Sequence, residues 1–371
     1  MAVKQDFKLR LAEPVLGEKE LEYVSDCVRS SWISSKGRYI EKFENGFSRF
    51  CGAKHGIATS SGTAALHLAF AAIGVGPGDE VIVPSFTMVA SANAVAYTGA
   101  KPIFVDSEVA TWNLDAAKVE KLITSKTRAI QVVHIYGHPA DMDPLLEIAS
   151  KHDLYLVEDA CEAHGAEYKG RRVGSIGRLG CFSFYANKII TTGEGGMVVT
   201  DDTTLSERCA SLRNLSFDVE RRFVHDVLGF NYRMTNLQAA VGCAQLERID
   251  EFIERRIQNA RWYNSMLSGV KGIVTPPETS WAKNVYWMYS ILVERDYPLT
   301  RNQLIQRLAS RGIESRVMFN PMHKQKIYRL GNKDADFPVA NMLGERGMNL
   351  PSGNGLTREQ VGSVAESISA V

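Results

Sequence analysis

The chain reads as an α/β protein with a large unit built on a mainly parallel sheet and a smaller α+β unit behind it. Three observations predict this. Between residues 56 and 214, short apolar runs such as EVIVP, KPIFVD, LYLVED and CFSFY alternate with helical stretches. Runs of that kind suit strands buried on both faces of a sheet. A long helical stretch at 235–268 then separates this pattern from a different one, which orders strand, helix, strand, helix and fits a small mixed layer.

The elements follow in order. Residues 17–30 place Leu21, Val24, Cys27 and Val28 on one helical face, and 39–51 do the same with Ile40, Phe43, Phe47 and Phe50. The strand GIAT leads into the helix TAALHLAFAAIG. EVIVP leads into VASANAVAYTG, and KPIFVD follows. RAIQVVHIYG precedes the helix DPLLEIASKHD, then LYLVED, CFSFY and GGMVVTD, and then the helix LSERCASLRN. After the break at PPETS (276–280) come a strand at 286–293, a helix at 300–311, a strand at 312–319 and a last helix from about Thr357. The expected division is an N-terminal segment, 1–30, packing on the small unit, a large unit over 31–250, and a small unit over 251–371. No internal repeat or low-complexity tract interrupts it.

Composition narrows the function. Of 371 residues, 45% are hydrophobic and 23% charged, with a net charge of +1. These values fit a globular protein and give no basic surface for nucleic acid. The six cysteines form no CxxC pair and no zinc-spaced cluster, so reduced thiols in a cytoplasmic protein without a metal site are expected. The N-terminus lacks the apolar core of a signal peptide, and no run is long and apolar enough to span a membrane.

Three pieces carry chemistry. In SFYANKIITTGEGGM (183–197) a strand runs into a loop that holds Lys188 between apolar and β-branched neighbours. Partial desolvation there would make the amine nucleophilic. Alone, a loop lysine is ordinarily a solvated surface residue. The buried strand LYLVEDA ends in Glu158 and Asp159, with Glu162 and His164 on the loop beyond it. A carboxylate at that strand end can keep a pyridine nitrogen protonated. Alone, it would as readily be a helix cap or a metal ligand, and His164 a structural histidine. TSSGTAAL (59–66) opens a helix with small hydroxyl residues and a glycine, which makes an anion site or simply an N-cap. Neither GxGxxG nor the Walker pattern occurs. Together and in this order, the pieces read as phosphate cradle, ring-nitrogen carboxylate and cofactor lysine.

The sequence resembles the sugar aminotransferases of the DegT-like family, which have the type I aspartate-aminotransferase fold of pyridoxal phosphate (PLP) enzymes. The likeness runs from WISSKGRYIEKFE (32–44) through SSGTAALHLA, GDEVIVPSFTMVASANAV, HIYGHPADMD, VEDACEAHGA, SFYANKIITTGEGGM and GFNYRMTNLQAAVG to NLPSG (349–353). The resemblance implies that Lys188 carries the cofactor as a Schiff base and that Asp159 partners the ring nitrogen. It puts Glu162 near the ring hydroxyl, and Gly62, Thr63 and Ser183 in the phosphate cradle. Asn231 matches an asparagine that reaches the phosphate from a neighbouring subunit, which implies a homodimer or higher assembly with shared active sites. Arg233 is a candidate for an anionic group of donor or substrate, and His164 and His323 are candidates for contact with substrate. The family commonly stacks an aromatic residue on the cofactor where this chain has Met88, and Phe86, two residues away, is the alternative.

Lysine rather than histidine at 188 implies transamination rather than dehydration, with glutamate as the usual donor. WISSKG, the lysine loop and the 314–323 stretch are most similar to the branch that aminates C4 of GDP-4-keto-6-deoxymannose to give GDP-perosamine for O-antigen or surface polysaccharide. Tyr185-Ala186 and RNLSFDVERRF (213–223) depart from that branch, which leaves dTDP-linked, UDP-linked and nucleotide-free keto-sugars as alternatives. The rival classes are a non-catalytic PLP-binding regulator and a PLP-free α/β binding module.

Overall fold

The computed structural model describes residues 7–218, 220–221, 223–329 and 331–371. Seven strands form the central sheet: β1 (His55–Thr59), β2 (Glu80–Pro84), β3 (Lys101–Val105), β4 (Thr127–Val133), β5 (Tyr155–Asp159), β8 (Leu179–Ser183) and β9 (Gly196–Thr200). Two short strands, β6 (Glu167–Tyr168) and β7 (Arg171–Arg172), lie between β5 and β8 and pair with β11 (Ala282–Lys283) in a small ribbon. The central order is β1-β9-β8-β5-β4-β2-β3. All pairs from β8 to β3 are parallel, and β9 runs antiparallel to both of its neighbours. The apolar runs of the sequence are these strands, and β8 and β9 are buried throughout.

The helices, in chain order, are α1 (Glu18–Arg29), α2 (Arg38–Cys51), α3 (Gly62–Ala72), α4 (Val89–Tyr97), α5 (Ala116–Val119), α6 (Met142–Lys151), α7 (Thr203–Arg213), α8 (Asn236–Leu246), α9 (Ile249–Leu267), α10 (Arg301–Ser310), α11 (Pro338–Arg346) and α12 (Arg358–Ser369). A second sheet of β10 (Ile273–Val274), β12 (Tyr289–Val293), β14 (Gly347–Leu350) and β13 (Arg316–Val317), in that order, forms the C-terminal layer.

The structure departs from the sequence reading in four places. The stretch 235–268 is two helices. Glu247 takes donors from Lys19, Tyr23 and Lys42 on α1 and α2, and the backbone leaves the helix at Arg248 (φ −116°, ψ 9°). The strand expected over 312–319 shrinks to β13, because Gly312 and Glu314 pair with Leu9 instead. β14 completes the middle of the second sheet without any alternating pattern, since all four of its residues are buried. Residues 9–11 lie against the C-terminal layer, but α1 packs on α8: Gln245 donates to Glu20, and Cys27 meets Asn236. Leu21 and Val28, read as part of a packing face, stay more than 60% exposed.

Successive strand residues face opposite sides, so Glu158 and Asp159 diverge at the end of β5. Glu158 is fully buried. It accepts hydrogen bonds from His134 Nε2 at 3.0 Å and from the backbone N–H groups of Gly174, Ile176 and Gly177. His134 Nδ1 accepts the N–H of Ala140, which fixes the tautomer that donates from Nε2. Removing the carboxylate strands four donors. Glu158→Ala is therefore expected to lose about 3 kcal/mol or more of unfolding free energy, measured by urea unfolding. A loss below about 1 kcal/mol would show that water replaces the carboxylate.

Candidate active site

The chemistry gathers in a cavity of about 360 Å³ at the carboxyl ends of β5 and β8, the edge at which α/β sheets bind ligands. Clefts of about 640 and 510 Å³ lie elsewhere, one between α5 and α6 and one along β3, and neither contains the lysine or the paired carboxylate read from the sequence.

One wall is the start of α3. Ser61 caps the helix by accepting the N–H of Ala64 at 3.1 Å, and Gly62 and Thr63 line the cavity. A Cβ on Gly62 would sit 2.6 Å from Cβ of Ser183, so the close approach of α3 to β8 requires glycine there. The first turn of a helix presents unpaired N–H groups and a positive dipole end. With the hydroxyls of Ser61, Thr63 and Ser183, it makes an anion cradle.

Asp159 faces this wall and is 5% exposed. Its Oδ2 accepts from Ser91 at 2.7 Å and its Oδ1 from the N–H of Cys161 at 3.2 Å. Ser91 stands 2.8 Å from the hydroxyl of Thr87. Because the carboxylate only accepts, Ser91 donates to it and accepts a hydrogen bond from the hydroxyl of Thr87. Lys188 enters from the loop after β8, with its Nζ 3.6 Å from the ring centroid of Trp287. Glu162 is buried, accepts the N–H of Tyr136 at 2.8 Å, and has its carboxyl raised to about 7 by desolvation despite the opposing charge of Lys188.

The structure brings Gly62, Thr63, Met88, Asp159, Glu162, Ser183 and Lys188 to one cavity. Met88 lines it at 46% exposure, whereas Phe86 is buried against Tyr136 and Phe319 and stays outside the lining. Two histidines expected near substrate are corrected. His164 is fully buried among Phe47, Phe182 and Phe184. His323 is buried as a clamp, with Nδ1 2.6 Å from Ser85 Oγ and Nε2 donating to Asn341 at 3.0 Å, and its ring stacks on Phe337. Neither lines the cavity. Arg233 also lies outside it and donates to Asn214 at 2.7 Å. Asn231 is exposed and away from its own chain's cavity. In the loop 213–223, Arg213 turns inward to Glu44 and the carbonyl of Ala58, while Val219 and Arg222 lie outside the described residues.

Sequence reasoning missed Trp287, Ser91, Thr87 and Phe319 as lining residues. Trp287 sat in an apolar run read only as strand, and Ser91 in a run read only as helix. Neither carries a local signal, because their neighbours come from distant segments.

The donor set fits pyridoxal phosphate. A cradle of helix N–H groups and hydroxyls, which a side chain at Gly62 would fill, suits its phosphate. A buried carboxylate held by two donors suits a protonated ring nitrogen, and Lys188 supplies the amine.

Comparison with known proteins gives a consistent result. Residues 14–369 match the DegT/DnrJ/EryC1/StrS aminotransferase family. The chain is 47% identical to the GDP-perosamine synthase of Caulobacter vibrioides, with 98% of each chain covered. It is also 47% identical to that of Escherichia coli O157:H7, with 96% of each covered. The solved structure of Spr1654 from Streptococcus pneumoniae in its PLP-form superposes with a TM-score of 0.92 at 29% identity, covering 97% of each chain.

The raised carboxyl of Glu162 sets a pH dependence. Its folded-state value of about 7 lies above the unfolded value of about 4.3, so the folded chain binds the proton more tightly. The stability this contributes is present at low pH and is lost as pH rises toward 7. In cofactor-free protein, Glu162→Gln should therefore gain on the wild type by about 3 kcal/mol between pH 4 and pH 8. Urea unfolding at the two pH values measures it, and a constant gap would show that Glu162 binds its proton no more tightly in the folded chain than in the unfolded one.

Proposed function

Since the chain belongs to the DegT/DnrJ/EryC1/StrS aminotransferase family, we propose that it is a PLP-dependent aminotransferase that converts GDP-4-keto-6-deoxymannose to GDP-perosamine with glutamate as donor. The observation that carries the reading is the meeting of Lys188, Asp159 and the α3 cradle in one cavity. The near-complete coverage of GDP-perosamine synthases at 47% identity supports the choice of sugar.

Bound PLP supplies an electron sink for the carbon that bears the amino group. The chain's own residues do the rest. Ser61, Gly62, Thr63 and Ser183 hold the phosphate. Asp159, held in place by Ser91 and the N–H of Cys161, would hold a proton at the ring nitrogen. Glu162, poised near neutrality, shares a proton with the ring hydroxyl. Lys188 Nζ anchors the cofactor and moves the proton on the carbon that bears the amino group. Trp287 and Met88 narrow the cavity against water. Tyr185, 48% exposed on the cavity wall, is positioned to meet the sugar.

The active unit is a homodimer with shared sites. Asn231 is exposed and does not line its own chain's cavity, and the apolar Val28, Trp32, Val227 and Leu228 are all more than half exposed, as expected of a surface awaiting a partner. The enzyme works in the cytoplasm, in keeping with six free cysteines. No helix among the described residues is long and apolar enough to cross a membrane.

Lys188→Ala should bind PLP but show neither the visible absorption of a lysine-linked cofactor nor multiple turnovers, and sustained turnover would rule out its role. Asp159→Asn should cut the rate by orders of magnitude, roughly 100-fold or more, with near-normal rates pointing to another partner for the ring nitrogen. Mixing Lys188→Ala chains with an inactive Asn231→Ala chain should restore activity in hybrids, and no restoration would argue against a shared site. A panel of GDP-, dTDP- and UDP-keto-sugars with glutamate, read by product mass, tests the substrate, and amination of only a non-GDP sugar would overturn it.

A further inference from the structure

Lys188 is gripped on both sides. The carbonyl of Asn187 accepts Nε1–H of Trp287 at 2.9 Å, and the carbonyl of Ile189 accepts Nδ2–H of Asn354 at 2.9 Å. Both donors converge on one side chain. Arg256, on α9, donates from Nη1 to the carbonyl of Trp287 at 2.6 Å and from Nε to Oδ1 of Asn354 at 2.5 Å. The Trp287 ring also lies under the ammonium of Lys188. Trp287 stands just before β12, and Asn354 in the loop between β14 and α12. Three separate elements therefore converge on the carbonyls of the two residues that flank one lysine.

Arg256 is 2% exposed, and among the described residues it forms no ion pair with a carboxylate. Burial drives its guanidinium down to about 9. A buried charge with no counter-charge is costly, and a hydrophobic side chain would fill the space at lower cost. A guanidinium offers something a hydrophobic group cannot: several donors in a rigid plane. Here that plane fixes the relative placement of Trp287 and Asn354, and through them the backbone of Lys188. The other anchors of the lysine loop lie farther along it, where the N–H of Thr191 meets Oε1 of Gln245 and the N–H of Thr192 meets the carbonyl of Phe184. The backbone N–H of Lys188 itself bonds locally, to the carbonyl of Tyr185. A lysine side chain has four rotatable carbons, so the direction in which Nζ enters the cavity depends on where its Cα is held.

We infer that Arg256 is a positioning residue for Lys188, acting through Trp287 and Asn354 to fix the backbone on both sides of the lysine and to tie its orientation to the C-terminal layer. The consequence for catalysis rests on the function proposed above, while the grip on the loop does not. Two variants cut one arm each and leave the rest in place. Asn354→Asp keeps the acceptor for Arg256 but removes the N–H given to Ile189. Trp287→Phe keeps a ring under Lys188 but removes the N–H given to Asn187.

Hydrogen exchange by mass spectrometry on the full chain, without and with added PLP, reads the grip directly. Each variant should speed exchange in peptides spanning 184–192 by on the order of fivefold or more, with strands β4 and β5 unchanged. In PLP-loaded protein each should also move the pH midpoint of the visible band by about half a unit and slow loss of that band on adding glutamate, with little change in the glutamate concentration needed for half the maximal rate. The double variant should show less than the product of the two single effects on that rate, because both arms act on one lysine. Unchanged exchange at 184–192 in both variants would overturn the inference whatever the cofactor does. Absence of any visible band in wild-type protein with PLP would instead overturn the proposed function, and the exchange result would still decide the grip.

Discussion

Two neighbouring carboxylates end the central strand of the sheet, and both are buried. Glu158 and Asp159 are 0% and 5% exposed, and an unmatched buried carboxylate is too costly to keep. The fold meets the demand in two ways. Glu158 is saturated by His134 and three backbone N–H groups of the 174–177 turn, which locks that turn against β5. Asp159 receives Ser91 from the first turns of α4 and the N–H of Cys161, and its remaining acceptor capacity is left for the cavity. The placement of α4, with Met88 at its cap, thus follows from how Asp159 is satisfied.

The cavity is a joint product of the two sheets. Its anion cradle and carboxylates come from the central sheet and its helices, while Trp287 and Phe319 come from the C-terminal layer. Tyr136 sits at the seam. It donates its N–H to Glu162 and its hydroxyl accepts the N–H of Phe319, and its ring stacks on those of Trp287 and Phe319. A displacement of the C-terminal layer therefore reaches the ring-hydroxyl side and the lysine side of the site together, since Tyr136 touches Glu162 and Trp287 touches Lys188.

Much of this was legible in the sequence. The strands declared themselves as short apolar runs, and Lys188, Asp159 and Gly62 sat in local patterns whose order carried meaning. The rest was hidden for a physical reason. His164 and His323 look alike in sequence to histidines that meet ligands, but what surrounds them, three phenylalanines in one case and Ser85 with Asn341 in the other, comes largely from remote segments. Phe86 and Met88 lie on the same side of an extended chain by parity, and only the packing of Phe86 on Phe319 separates them. Arg256 reads as one more charged position on an amphipathic helix, and nothing local marks it as buried. The break at Arg248 is likewise set by Lys19, Tyr23 and Lys42 from the other end of the chain.

The attachment of residues 9–11 bears on how the molecule is made. Leu9 exchanges backbone hydrogen bonds with Gly312 and Glu314, the N–H of Leu11 reaches Glu314 across 303 positions, and its carbonyl accepts the N–H of Ser352. Contacts this distant close late, after the shorter-range pairings of the sheet have formed. During synthesis residues 9–11 must wait, unpaired, until residues 312–352 have left the ribosome, while the central sheet can already assemble. A segment made before the central sheet then docks after it, so the order of assembly differs from the order of synthesis.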